Sequence, residues 1–310
     1  MFDGSEVRQA MSKRRYFVYD VFADTVLSGN PLAVVLDAEG LDDKAMQRIA
    51  GEFNLSETTF VTAPENPRHR AGVRIFTPMH ELPFAGHPTV GTAVALTEAD
   101  GEGTGIFVLE EKVGPVRCAV KRGAGVAYAE FDLPRLPERM EFSAGREAVA
   151  AALGIGHHEI GFENHVVSQW TAGVPYILVP VHDLKVAARA RLDPIAWSEM
   201  TGSAEALSPG AYIYCRETVQ HDCAFHARMF AAHLGIVEDP ATGSAAAAFA
   251  GAIVHFDEPV DGPSRYWIEQ GMEMGRPSRI RLELDIEEAA IAAARIGGHA
   301  VKVAEGTIEV

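Results

Sequence analysis

Two heptapeptides constrain this chain more than anything else in it: HPTVGTA at residues 87–93 and DPATGSA at 239–245. Pro88, Gly91 and Ala93 recur as Pro240, Gly243 and Ala245 at a constant offset of 152 residues, and the hydroxyl of Thr92 is matched by that of Ser244. Upstream, RIF at 74–76 is echoed by RMF at 228–230, at an offset of 154. In a chain of 310 residues this is close to half the length. The order strand, loop, heptapeptide, small-residue helix therefore occurs twice. It predicts an internal duplication, with two copies of one unit facing each other.

The patterning between these anchors fits. RYFVYDVF (15–22) and PLAVVL (31–36) are rich in branched and aromatic residues and read as strands, with a turn at SGNP (28–31). Met46, Ile49, Ala50 and Phe53 recur at helical spacing behind a capping Asp42 or Asp43. ETTFVT, GVRIFT, GIFVLE, PVRCAV and VAYAEFD are further strands, interrupted by a helix near Pro88. The second half repeats the recipe. GREAVAAAL and DPIAWSEM are helical; PYILVPV, AYIYCR, CAFHARMF, YWIEQG and RIRLEL are strands; a helix starts near Pro240. GGHAVKVAEGTIEV at the end reads as a hairpin with its turn near Glu305–Gly306. The best boundary is the proline-rich DLPRLPERMEF (132–142), which divides the chain into lobes 1–135 and 136–310. Residues 1–13 are expected to be a loose leader, with Met11 as an alternative start, and the last strand is free to cross back to the first lobe.

His87 and Asp239 each precede a proline, which favours the first position of a helix. Each is thereby expected to be an N-cap, with its side chain at the mouth of the helix. Glycines in such a first turn cost helix stability unless something approaches the backbone. Free N–H groups and the positive end of the dipole suit a carboxylate or an oxyanion. If the copies face each other, two such ends converge on one cleft. Glu57, in FNLSETTFV, follows an amphipathic helix and opens an apolar strand. It is either an exposed strand-entry glutamate or a partly desolvated carboxyl suited to moving protons.

Composition excludes more than it suggests. A net charge of −16 argues against nucleic acid and anionic membrane surfaces as partners. An anionic ligand must then be held by local positive features. Three cysteines without CxxC spacing do not make a disulfide framework or a zinc site. With no secretory signal, and no apolar stretch longer than AAAAFAGAIV, a cytoplasmic location is expected. HELPFAGH spaces His80 and His87 seven apart across a proline, which is not the zinc-protease pattern, so no metal is expected.

GNPLAVVLDAEGL, FNLSETTFV, ELPFAGHPTVGTA, EDPATGSA and QGMEMGRPS together resemble the PhzF-like phenazine-biosynthesis family, from about residue 16 to the C-terminus. Its relatives include diaminopimelate epimerase and proline racemase. The resemblance implies an α/β fold of two pseudo-symmetric lobes, each a curled, mostly antiparallel sheet around a central helix. It implies an isomerase without cofactor or metal, acting on a small carboxylate-bearing substrate in the cleft, in the manner of trans-2,3-dihydro-3-hydroxyanthranilate isomerisation. Glu57 matches the family's proton-abstracting glutamate, and His87, Asp239 and Ser244 match its other active-site groups. Gly86, Thr242 and Gly243 match the segments lining the substrate. The epimerase relatives use a cysteine pair here, which this chain lacks, so a two-thiol racemase is disfavoured. Epimerisation of an amino-acid derivative and non-catalytic binding remain as alternatives, and a homodimer is a family expectation. Met274 and Arg276 are either an apolar wall and an anion partner or elements of a structural turn. Asn30 is a turn residue or a site residue, and His80 adds a second histidine near the site.

Overall fold

The computed structural model describes residues 12–101, 103–123, 126–202, 208–231 and 236–310. Its first half runs β1 (Lys13–Val21), β2 (Asn30–Val35), α1 (Asp43–Phe53), β3 (Glu57–Thr62), β4 (Ala71–Phe76), β5 (Glu81–Leu82), α2 (Gly86–Ala99), β6 (Thr104–Glu111), β7 (Gly114–Arg122) and β8 (Ala127–Asp132). The second runs β9 (Glu138–Met140), α3 (Arg146–Leu153), β10 (Ser168–Thr171), β11 (Pro175–Pro180), α4 (Leu184–Arg189), α5 (Pro194–Thr201), β12 (Gly210–Cys215), β13 (Phe225–Ala231), β14 (Ile236–Asp239), α6 (Gly243–Asp257), β15 (Gly262–Gln270), β16 (Ser278–Glu287) and β17 (Ala290–Glu309). No described helix is long and apolar enough to cross a membrane.

Strand pairing repeats between the halves. β2 pairs parallel with β3, β3 antiparallel with β4, β4 parallel with β6, and β6, β7 and β8 follow antiparallel. In the same order β11 pairs parallel with β12, β12 antiparallel with β13, β13 parallel with β15, and β15, β16 and β17 follow antiparallel. These are two lobes of mostly antiparallel sheet, each curled around one helix. α2 is buried from Gly86 to Thr97, and α6 buries Gly243, Ala245–Ile253 and Phe256. A helix apolar all round belongs inside. Alanine and glycine dominate α6, so the sheet can wrap it closely, and one apolar cluster runs through both lobes. Each fully buried Val or Leu on α2 contributes roughly 1.5–3 kcal/mol.

The terminal hairpin expected near Glu305–Gly306 does not form: β17 is one strand of 20 residues. Residues 290–297 pair with β16, 295–300 with β8, and 300–309 with β1. Ala300 faces both Ala127 and Val21, so β17 closes the first lobe's sheet while serving the second. Gly306 sits within the ladder opposite Tyr16, whose ring it accommodates. A strand glycine that leaves room for a ring carries the same letter as a turn glycine. Most of the expected leader lies outside the described residues, Met11 included. Its last two residues are ordered: Lys13 belongs to β1, and Ser12 exchanges two backbone hydrogen bonds with Val310, at 2.8 and 3.0 Å.

Candidate active site

Each helix start differs from its expected form. α2 begins at Gly86 behind an N-cap at Ala85, two residues ahead of the expected cap, so His87 projects from the first turn. α6 begins at Gly243 behind Thr242; Asp239 is not a cap but the last residue of β14, held in its ladder opposite Met229. The structural repeat therefore runs from Gly86 to Gly243, 157 residues rather than 152. In that register His87 corresponds to Ser244, and Ala85 to Thr242. The two helix starts touch: a Cβ on Gly86 would lie 2.9 Å from the Gly243 Cα. Glycine is needed at that contact, not for a turn.

A cavity of about 300 Å3 opens beside this contact. Glu57, Gly86, His87, Asp239, Thr242, Gly243 and Ser244 all line it, with His80 at the exposed rim. Its size suits a small molecule. Of the two readings of Glu57, the buried one holds. α1 is capped by the Asp42 side chain on Ala45 N and ended by Asn54 in the left-handed region, so the chain turns and enters β3 at Glu57. Glu57 Oε2 lies 3.2 Å from His87 Nε2, close enough for an ion pair but misaligned for a hydrogen bond; both atoms are buried without a hydrogen-bond partner among the described residues. Burial first, and the charge of Asp239 second, push the Glu57 carboxyl well above the usual range. Burial alone holds the His87 imidazole down to about 3, so it is neutral at pH 7.

Asp239 is the most heavily supported group. Burial raises its carboxyl, while hydrogen bonds from Thr242, Asn30 and Ser56 pull it back, leaving it up at about 6. Thr242 Oγ1 donates to Oδ2 at 2.5 Å and itself accepts from Gln270 Nε2 at 3.1 Å, so the proton order along this chain is fixed. Asn30 Nδ2 donates to Asp239 Oδ1 at 2.9 Å and to Ala241 O at 3.0 Å. Asn30 thus does not line the cavity; it holds a residue that does. Two buried carboxyls that repel each other resist ionising together. Asp239, whose charged form receives three hydrogen bonds, ionises the more readily, and Glu57, raised by burial without such bonds, holds its proton the more tightly.

Besides Asn30, two further sequence-predicted members are not in the cavity. Arg276 donates to Gly29 O at 2.7 Å and Ser28 O at 2.6 Å and pairs with Asp20 at 2.6 Å, so its charge is spent on the loop between β1 and β2. Met274 is exposed in a 3-10 turn, Met272–Met274, and is not among the residues that line the cavity. The structural-turn reading holds for both. Sequence reasoning missed Tyr176, whose Oη lies 2.7 Å from Ser244 Oγ, and the wall formed by Phe84, Val174, Pro175 and Met229. Only strand alternation in PYILVPV marks Tyr176, and alternation does not say which face meets a cavity.

No cysteine lines the cavity. Among the described residues one group of side chains has metal-ligand spacing: Glu163, His165 and Asp257. It lies apart from the cavity, and the Arg216 guanidinium pairs with both carboxylates, which makes it an ion-pair cluster.

Known proteins match the chain along nearly its whole length. Residues 19–306 match the PhzC-PhzF family, described as phenazine biosynthesis-like protein. The chain is 62% identical to an uncharacterized isomerase of Mesorhizobium japonicum, over 96% of this chain and 99% of that one. It is 35% identical to a trans-2,3-dihydro-3-hydroxyanthranilate isomerase of Pseudomonas aeruginosa, over 94% and 98%. The crystal structure of a PhzF-family phenazine biosynthesis protein from Bacillus anthracis superposes with a TM-score of 0.88 at 27% identity, covering 97% of this chain and 100% of that one. With a match across nearly its whole length, the chain belongs to the PhzC-PhzF family of phenazine biosynthesis-like proteins and is of the isomerase class.

Proposed function

We propose that the protein is a cofactor-independent isomerase that moves a proton on a small carboxylate-bearing substrate, with Glu57 as the group that takes the proton and returns it. The observation that carries this is the meeting of Glu57, His87, Asp239 and Ser244 around one small cavity beside two helix starts. The first N–H groups of α2 and α6 have no partner within their helices. Together with the Ser244 hydroxyl they form a cradle for the substrate carboxylate. Tyr176 and Ser244 share one hydrogen bond between two hydroxyls, so one O–H remains to point at a ligand.

In the reacting complex Glu57 is ionised and takes a proton from carbon. Charge spreads through the conjugated substrate toward the helix starts, which lie ready to stabilise it. Neutral Nε2 of His87 guides the carboxyl between the two carbon positions. Glu57 then delivers a proton at the second position, its carboxyl having exchanged with solvent in between, so nothing is gained or lost overall. The fixed charge of Asp239 keeps the proton affinity of Glu57 high enough for the first step. Trans-2,3-dihydro-3-hydroxyanthranilate, the substrate named for the Pseudomonas relative, is the first compound to test.

Glu57→Gln should slow its isomerisation by at least about 10²-fold, the usual worth of one positioned proton carrier. In D2O the wild-type protein should place deuterium on carbon and the variant should not, with binding little changed. Wild-type turnover by Glu57→Gln would overturn the assignment.

A further inference from the structure

Glu111, the last residue of β6, is a buried carboxyl that the proposed chemistry leaves unused. Its Oε1 lies 2.7 Å from Thr89 Oγ1, and its Oε2 has no hydrogen-bond partner among the described residues. It borders a second, more open groove of about 790 Å3, yet no cation there reaches it. Arg74 is taken by Asp43 and Glu81, Lys112 by Glu81, and His69 by Glu110. From β7 the thiol of Cys118 lies within its electrostatic reach, and burial holds that thiol un-ionised.

Thr89 lies one turn along α2, and its hydroxyl is also 2.8 Å from Ala85 O, which accepts the Thr89 N–H as well. A hydroxyl has one proton to give. Given to Ala85 O, none remains for Glu111, and the 2.7 Å contact then needs its proton from the carboxyl. Burial supports that state, pushing Glu111 up to about 8. The Ala85 carbonyl and the Gly86 N–H belong to one planar peptide unit. Whatever holds the Ala85 oxygen therefore aims the Gly86 N–H, and Gly86 lines the cavity.

We infer that Glu111 is a positioning residue: as a neutral acid it donates to Thr89, keeps the Thr89 hydroxyl on Ala85 O, and so aims the Gly86 amide at the anionic end of the substrate. Once Glu111 ionises, the Thr89 hydroxyl turns to donate to it, and the Ala85–Gly86 peptide loosens. The link to substrate rests on the anion cradle proposed above; the link to the Gly86 amide does not.

The test separates the two. In NMR spectra of the full chain, the Gly86 amide resonance should titrate with a midpoint near 8. Glu111→Gln, whose amide donates at every pH, should abolish that step. Thr89→Val should abolish it at Gly86 while the Glu111 carboxyl still titrates; this second variant decides the matter if the first fails to fold. With trans-2,3-dihydro-3-hydroxyanthranilate, the wild-type KM should rise about tenfold across that step, the scale of one lost hydrogen bond to a charged group, with kcat little changed, and stay flat in Glu111→Gln. A Gly86 step that is absent in wild type, or that survives in both variants, overturns the inference, as does an identical KM profile in Glu111→Gln. If the Gly86 step behaves as stated but the compound is not turned over, the positioning role stands and the substrate reading falls.

Discussion

Glu57 can take a proton only after losing its own, and this shapes the pH dependence of turnover. Its carboxyl is raised, so the active ionised form grows in as pH rises, and the acid limb of kcat/KM should lie well above the ordinary carboxylate range. Protonation of His87, near 3, falls too low to interfere. Since the Asp239 charge is one of the two causes, Asp239→Asn should shift that limb to lower pH and lower the maximal rate, because the weaker base accepts protons less readily. A limb that stays in place in a pH-rate series would show that the two carboxyls are not coupled. Glu57, His87, Asp239 and Ser244 were legible because each sits in a distinctive local motif. Asn30 and Arg276 were not, since their partners Asp239 and Asp20 lie 209 and 256 positions away. A charge inside a motif says nothing of where it is spent.

The helix starts show how a repeat can be real and its register wrong. The matching letters of the two heptapeptides pointed to Asp239 as the twin of His87, whereas the folded twin is Ser244. Proline marks a helix start only loosely: the first copy absorbs Gly86 ahead of it, and the second diverts Asp239 into β14. What decides register is the backbone contact between Gly86 and Gly243, and no periodicity records that. Gly86→Ala tests it. The added methyl would press on the backbone of α6, where no side chain can swing aside. Overpacking of this kind costs about 1–3 kcal/mol, so thermal melting should show a lower Tm, with turnover falling more than stability because the cradle spreads. An unchanged Tm and rate would mean that the contact has slack.

The molecule as a whole depends on buried charge as well as on apolar packing. His226 of β13 stands between Glu269 of β15, at 2.8 Å, and Glu273, at 3.0 Å, behind the strand pair that presents Asp239. Burial pulls its imidazole down, but hydrogen bonds to the two carboxylates outweigh this and raise it to about 9. A raised cation stabilises fully below its unfolded value, near 6.5, and loses that contribution as pH climbs through 9. His226→Gln should therefore lower Tm by on the order of 5 °C at pH 6. The gap should narrow in melts above pH 9; a gap constant from pH 6 to 10 would refute the charged state. Two-lobed architecture was readable at this scale from order and spacing, but the path of β17 was not, because a strand's partners are set by surfaces that exist only after folding.

The pairing of Ser12 with Val310 gives that strand a mechanical character. Antiparallel partners tugged from the same end separate rung by rung, each hydrogen bond bearing the load alone, because those bonds lie across the direction of the strands. Tension applied at Ser12 and Val310 would peel β17 from β1 before either helix felt it, undoing the seam that joins the lobes while their interiors stayed intact.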